Sequence, residues 1–181
     1  MTHHFNNMTT NSNNILSRDE LFKQTWMHAA KHAAFYRNWC ESNGVDPEEI
    51  SLDNISKLPI TEKDDIQGRE ADFLCTPETD IVEYVTTSGT MGAPVTFALT
   101  DKDVQRLAVN ESMALSHAGV TRDDIIQIMV TLDKRFMAGM AYYLGARKIG
   151  AAVVRTGVES LEFQIDTIHR IKPTFLIAVP S

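Results

Sequence analysis

Residues 124–180 carry the stretch that decides the fold: DIIQIMVTL (124–132), RFMAGMAYYLGARKIG (135–150), AAVVR (151–155), SLEFQIDTIHRIK (160–172) and TFLIAVP (174–180). The first, third and fifth runs are apolar and lack the alternation of a half-wetted strand. They therefore read as strands buried on both faces. The second run is apolar on nearly every side and reads as a buried helix, in which Gly139 and Gly145 fit close helix–sheet contact. The fourth sets Leu161, Ile165, Ile168 and Ile171 on one helical face and is closed by Pro173. Strand–helix–strand–helix–strand in this order predicts a βαβαβ parallel sheet covered by helices, with right-handed crossovers. The fold class is α/β.

Upstream, IVEYVTT (81–87) and PVTFALT (94–100) are β-branched and aromatic and read as two strands. Thr100 then caps a helix with Asp101 and Asp103 in its first turn. Val104, Leu107, Ala108, Ala114, Leu115 and Ala118 mark its buried side, Glu111 interrupts that stripe, and Gly119 ends the helix. An N-terminal helical segment starts at Ser17, where Glu20 completes a capping box. Leu21, Phe22, Trp26, Ala29, Ala33 and Tyr36 follow at helical spacing, as one helix running to Asn43-Gly44. Short helical turns follow, with Leu58-Pro59 extended and Thr61 with Asp64 as a further cap-like start. Residues 1–16 open with MTHHFNNMTTNSNN, too polar to bury enough surface to offset ordering entropy, and read as a disordered tail. The folded part is expected over residues 17–181. Three parallel strands leave exposed edges, and the sequence stops at Pro180-Ser181 directly after a strand, so it reads as an incomplete domain.

The 181 residues contain 43% hydrophobic and 23% charged side chains, ordinary for a globular protein with a packed core. The net charge of −7, without a long basic stretch, disfavours a nucleic-acid partner. No apolar run is long enough to span a bilayer, and no signal-peptide layout opens the chain. Cys40 and Cys75 are far apart and without metal spacing, so they read as free thiols of a cytoplasmic protein. His28 and His32 stand one turn apart and read as a solvated helix face rather than a zinc site. His117 and His169 sit near helix C-termini, where a partial positive charge is favourable. Phe136, Met137, Met140, Tyr142 and Tyr143 could line an aromatic pocket, but a buried helix needs the same residues for packing.

Between the two β-segments lies TTSGTMGAP (86–94), with two glycines and four hydroxyls. It reads either as a solvated hairpin turn or as a nest of backbone N–H groups for a phosphate chain. The loop departs from both the P-loop and the Gly-x-Gly-x-x-Gly fingerprint. Ser88 has no strand–turn–helix elbow and no evident His/Asp partners, so it is no nucleophile candidate.

TTSGTMGAP does resemble the phosphate loop of the adenylate-forming acyl-CoA synthetase superfamily, which also lies between two strands. HAAFYRNWCESNGVDPEEISLDNISKLPITEKDDIQ (32–67), YYLGARKIGAAVVRTG (142–157) and IHRIKPTFLIAVPS (168–181) resemble, in order, further segments of phenylacetate–CoA ligases. The resemblance runs from about Leu21 to Ser181. It implies the incomplete N-terminal domain of an adenylate-forming enzyme, with ATP, Mg²⁺ and coenzyme A as cofactors and a small carboxylic acid as substrate. In that chemistry a carboxylate oxygen attacks the α-phosphate of ATP, pyrophosphate leaves, and a thiol then displaces AMP. Thr87, Ser88, Gly89, Thr90 and Gly92 match the family loop and are implied to hold the phosphates, with Thr90 also near Mg²⁺. Met91 replaces a usual Thr, and Ala93 a usual Lys, which removes one cation. The family's adenine, ribose and catalytic-lysine motifs lie downstream of the matching segments, so no complete catalytic set is present and the piece is expected not to turn over alone. Dimers are common in the family, which adds a homodimer to the implied partners. Two rival readings are an acyl-protein synthetase and a non-catalytic or partner-binding domain.

Overall fold

A computed structural model describes residues 16–87 and 94–179, which divide into two compact units. The reading of residues 1–16 as a tail therefore falls almost wholly outside the described residues.

The first unit comprises residues 16–62 with 71–75. Helix α1 (Arg18–His32) starts on the expected capping box, Ser17 Oγ accepting from Glu20 N while the Glu20 carboxylate accepts from Ser17 N. The single expected helix is in fact two. Ala33 leaves the helical region (φ −82°, ψ 122°), and α2 (Ala34–Asn43) sets off on a new axis, ending at a left-handed Gly44. Nothing local marks Ala33 as a breaker. Packing does: the residue is fully buried, and the break brings both helices onto one core of Trp26, Ala30, Cys40 and Ile50. The Trp26 indole N–H donates to the Pro47 carbonyl at 3.0 Å, which satisfies its polar end inside that core. Phe35 stacks on Phe73 with centroids 4.4 Å apart. The Thr61 hydroxyl meets the Tyr36 hydroxyl at 3.1 Å and so serves a tertiary contact. Short 3₁₀ turns fill the segment after Gly44, as the punctuated sequence predicts.

The second unit comprises residues 63–70 with 76–179 and opens with the short helix α3 (Lys63–Ile66). Strands β1 (Ile81–Thr86) and β2 (Thr96–Thr100) pair antiparallel, with Val85 opposite Phe97 and Thr86 opposite Thr96. Helix α4 (Asp101–His117) follows directly, capped by Thr100 with Asp103 returning the bond. Strands β3 (Ile125–Ile128), β4 (Ala152–Arg155) and β5 (Phe175–Ile177) form the expected parallel sheet in the order β4-β3-β5. Helices α5 (Met137–Ile149) and α6 (Leu161–Ile171) are the two crossovers.

The core of this unit gathers Ile126, Ile128, Val130 and Ala146, with Tyr142, Tyr143 and Phe175 packed against it. Burying each isoleucine contributes about 2–3 kcal/mol. Gln127 alternates to the opposite face, is fully buried, and donates from Nε2 to Gln164 Oε1 of α6 at 2.7 Å. Gln164 Nε2 in turn donates to the Gly157 carbonyl at 3.0 Å.

Three expectations are corrected. The buried residues of α6 are Gln164 and Thr167, whereas Leu161, Ile165 and Ile171 are 68%, 44% and 42% exposed. The buried face was set by the polar bridge from Gln127, not by the most apolar stripe. Gly145 meets a helix rather than the sheet: a Cβ there would stand 2.5 Å from Glu111 Cβ and 2.9 Å from Glu111 carbonyl carbon, so α4 and α5 cross at near backbone contact. Gly139 likewise presses on the Thr131 carbonyl after β3. On α4, Glu111 lies within the half-buried stripe, while Ala114 and Ala118 are exposed.

Candidate functional site

Strands β1 and β2 present the ends of the Gly-rich segment. Thr87 is the expected site residue that falls within the described part; Ser88, Gly89, Thr90 and Gly92, with Met91 and Ala93, lie outside it. Thr87 N donates to the Val95 carbonyl at 3.0 Å, and Thr87 Oγ1 accepts from Val95 N at 3.1 Å. This two-way clasp closes the strand pair beneath the loop. The Thr87 hydroxyl proton stays available for a ligand oxygen, because the bond to Val95 uses a lone pair.

One residue earlier, Thr86 N donates to the Arg135 carbonyl at 2.9 Å, and Thr86 bridges Phe136 in the parallel sense. These bonds fasten the foot of the loop to the segment that follows β3. In open α/β sheets, ligands bind beyond the carboxyl ends of the strands. The end of β1 at Thr86 is therefore tied to the segment that leaves that end of this sheet.

The fastening segment is a tight turn. Phe136 N donates to the Asp133 carbonyl at 3.1 Å, and Lys134 and Arg135 both have positive φ, 57° and 62°. Two central residues with positive φ are the signature of a type I′ turn, which normally takes Asn and Gly. A residue with a Cβ is strained there by roughly 1–2 kcal/mol. The Thr131 hydroxyl donates to the Asp133 carboxylate and helps hold the turn. Both basic side chains are exposed, and neither joins the ion pairs seen among the described residues, Arg106–Asp103 and Arg170–Asp166.

Two cavities open at the carboxyl ends of the strands. One, of about 410 Å³, is mostly apolar and lined by Met129, Val130, Phe136, Val158, Leu161 and Gln164 among others. The second, of about 600 Å³, is polar and lined by Thr131, Lys134, Arg155, Thr156, Gly157 and Glu159 among others. Arg155 is steadied over the Tyr143 ring at 5.2 Å. A third cavity, of about 400 Å³, flanks the loop foot, with Thr86, Thr87, Phe97, Asp103, Arg106 and Met137 in its wall. Partial burial would raise the pKa of Asp103, but hydrogen bonds from Thr100 and the Arg106 charge outweigh it and hold the carboxyl below its ordinary value.

Of the aromatic and Met residues expected to pack, Tyr142 and Tyr143 lie against the core, while Phe136 both packs there and lines the apolar cavity. The Lys134–Arg135 turn, Arg155 and the Gln127–Gln164 bridge escaped the sequence reading. A polar interruption, LDKR, between a buried strand and a buried helix was the available signal.

Among the described residues, no three His, Cys, Asp or Glu side chains converge on a metal site. His28 and His32 are exposed, with ring centroids 4.6 Å apart. Cys40 and Cys75 are free thiols, and burial pushes both upward in pKa. No helix among the described residues is long and apolar enough to cross a membrane.

No protein-family model matches the chain. It is similar to a phenylacetate–coenzyme A ligase of Aromatoleum evansii, 27% identical over 90% of this chain and 37% of that protein. Another phenylacetate–coenzyme A ligase, of Pseudomonas putida, is 24% identical over 96% of this chain and 40% of the relative. The chain thus spans about two fifths of the length of the curated relatives it matches. Among solved structures it shares its fold with a 2-hydroxyisobutyryl-CoA ligase in complex with 2-HIB-AMP and CoA, at a TM-score of 0.75 and 23% identity, over 85% of this chain and 34% of the other. These similarities support kinship with the N-terminal portion of phenylacetate–CoA ligases and, in fold, of adenylate-forming ligases.

Proposed function

We propose that the protein carrying this chain is an acid–thiol ligase, which activates an aryl or acyl carboxylic acid with ATP and passes the acyl group to coenzyme A. The observation that carries this reading is the fastening of Thr86 to the Arg135 carbonyl. It ties the strand end that precedes a Gly- and hydroxyl-rich sequence to the segment after β3, and ligands of open α/β sheets bind beyond that end of the strands, which supports the reading. In this reading Thr87, Ser88, Gly89, Thr90 and Gly92 hold the β- and γ-phosphates through N–H groups and hydroxyls while charge moves onto pyrophosphate. Mg²⁺ would come in with the nucleotide, taking phosphate oxygens as ligands.

The apolar cavity beyond β3 and β5 suits the non-reacting end of the acid. Met129, Val130, Phe136 and Leu161 would exclude water from it, and the Gln164 amide adds one polar contact in its wall. The two carboxyl-end cavities share Thr131, so acid and nucleotide can lie against each other there. A carboxylate held in that position attacks the α-phosphorus, pyrophosphate departs with the P–O bond electrons, and a thiol later displaces AMP. Free thiols, Cys40 buried and Cys75 half-buried, fit a cytoplasmic setting.

The test is ATP–pyrophosphate exchange with a panel of aryl and alkyl acids, in the protein carrying this sequence. Ser88→Ala with Thr90→Ala is expected to lower exchange at least tenfold and to shift Tm by under about 2 °C, because hydroxyls assigned to a ligand add little to folding. An unchanged exchange rate rejects the loop's role, and the acid giving the fastest exchange identifies the substrate class.

A further inference from the structure

We propose that Lys134 and Arg135 form a cationic turn that binds the polyphosphate tail of ATP. The inference rests on the ligase reading above and adds two residues that the loop resemblance does not contain.

Four observations converge on this turn. First, it spends positions that favour Asn and Gly on two long basic side chains, each with positive φ. Strain of this kind persists where the surroundings over-determine it, and it clusters at ligand-handling sites. Second, the surroundings do over-determine it: Phe136 N closes the turn on the Asp133 carbonyl, and Thr86 N holds the Arg135 carbonyl from outside. Third, both side chains are exposed, and no carboxylate among the described residues pairs with them. Lys134 lines the polar cavity of about 600 Å³ together with Arg155, and with Asp133 and Glu159. Fourth, Ala93 leaves the neighbouring loop without a basic residue of its own, since residues 86–94 contain no Lys or Arg.

A chain of phosphates beside Thr87 carries three to four negative charges and needs cations within a few ångströms. The backbone of the turn is one hydrogen bond from Thr86, so both basic side chains start from a fixed point beside the foot of the loop. Because the turn is closed on both sides, its backbone does not have to be ordered when the ligand arrives. Polyphosphate is also present in coenzyme A as a pyrophosphate. The proposal commits to ATP because the turn is bonded to the foot of the loop.

The experiment is equilibrium binding of ATP, AMP, inorganic tripolyphosphate and coenzyme A to the protein carrying this sequence, at two salt concentrations. Two variants are compared with wild type. Lys134→Gln with Arg135→Gln removes the charge and keeps the strain. Lys134→Asn with Arg135→Gly removes both. Each is expected to weaken ATP and tripolyphosphate about tenfold, to leave AMP and coenzyme A within twofold, and to flatten the salt dependence. The second variant is also expected to melt a few degrees higher than wild type, because relief of the strained turn stabilises it, so weaker binding in that variant cannot be loss of fold. Equal losses for ATP and AMP, or a loss confined to coenzyme A, overturn the assignment. Wild-type binding of ATP with no loss in either variant overturns the cation role and leaves the ligase reading standing. A wild-type protein carrying this sequence that binds neither ATP nor tripolyphosphate overturns both.

Discussion

Asp103 and Thr100 show how much a single residue pair decides beside the loop. The Thr100 amide and hydroxyl both donate to one Asp103 oxygen, at 3.0 and 2.8 Å, and Asp103 N returns a bond to the hydroxyl at 3.3 Å. Arg106 takes the second carboxylate oxygen at 3.1 Å. The charged form of Asp103 is thus favoured in the folded chain, and its pKa lies below the unfolded value. A depressed carboxylate contributes stability that is present above its unfolded pKa and is lost as pH falls through the folded one. Asp103→Asn is therefore expected to cost about 1 kcal/mol at neutral pH, in the range of a lost cap. The gap in Tm between wild type and variant should narrow once pH drops below about 4. Melts from pH 7 to pH 2.5 check this, and a gap that stays constant with pH contradicts it.

At the scale of elements, the α4–α5 crossing depends on the absence of one methyl group. An added Cβ at Gly145 would meet Glu111 Cβ at 2.5 Å and Ser112 N at 2.9 Å, so two helices would have to move apart. Gly145→Ala is expected to destabilise the second unit by about 1–3 kcal/mol, the cost of overpacking, although Ala is the better helix former. Urea unfolding followed by circular dichroism measures it; an unchanged or raised midpoint would show that α4 yields freely. Both glycines stood out in the sequence as marks of close approach, yet their partners did not. A glycine announces that something comes near, but the approaching atom is supplied by a segment far along the chain. The same holds for Ala33, where helical spacing continued through a residue whose burial between two helices broke the helix.

Across the whole molecule, the second unit leaves apolar surface uncovered among its described residues. Phe163, Ile165 and Ile171 on α6 are 50%, 44% and 42% exposed, and Leu176 on the edge strand β5 is 53% exposed. This exceeds the scattered single apolar residues normal on a surface. The chain is therefore expected to bind 1-anilinonaphthalene-8-sulfonate in its native state. Phe163→Ser with Ile171→Ser should lower that fluorescence by about half with far-ultraviolet circular dichroism unchanged, and an unaltered signal would locate the dye elsewhere.

The sequence by itself determined the features that arise between residues three or four apart or within one run. These are the caps at Ser17 and Thr100, the hairpin around TTSGTMGAP, the three apolar strands and their parallel order with two helical crossovers. Cap bonds and hydrophobic periodicity are local and can be counted on a single chain. Only the tertiary structure decided which face of α6 is buried, which partner each glycine meets, and that a strained Lys134–Arg135 turn stands at the foot of the loop. Periodicity says which side chains share a face, but not which face wins the contact with a buried Gln127. The bond from Thr86 to Arg135 joins segments far apart in the chain, and such a contact follows from how whole elements pack rather than from the residues beside either end.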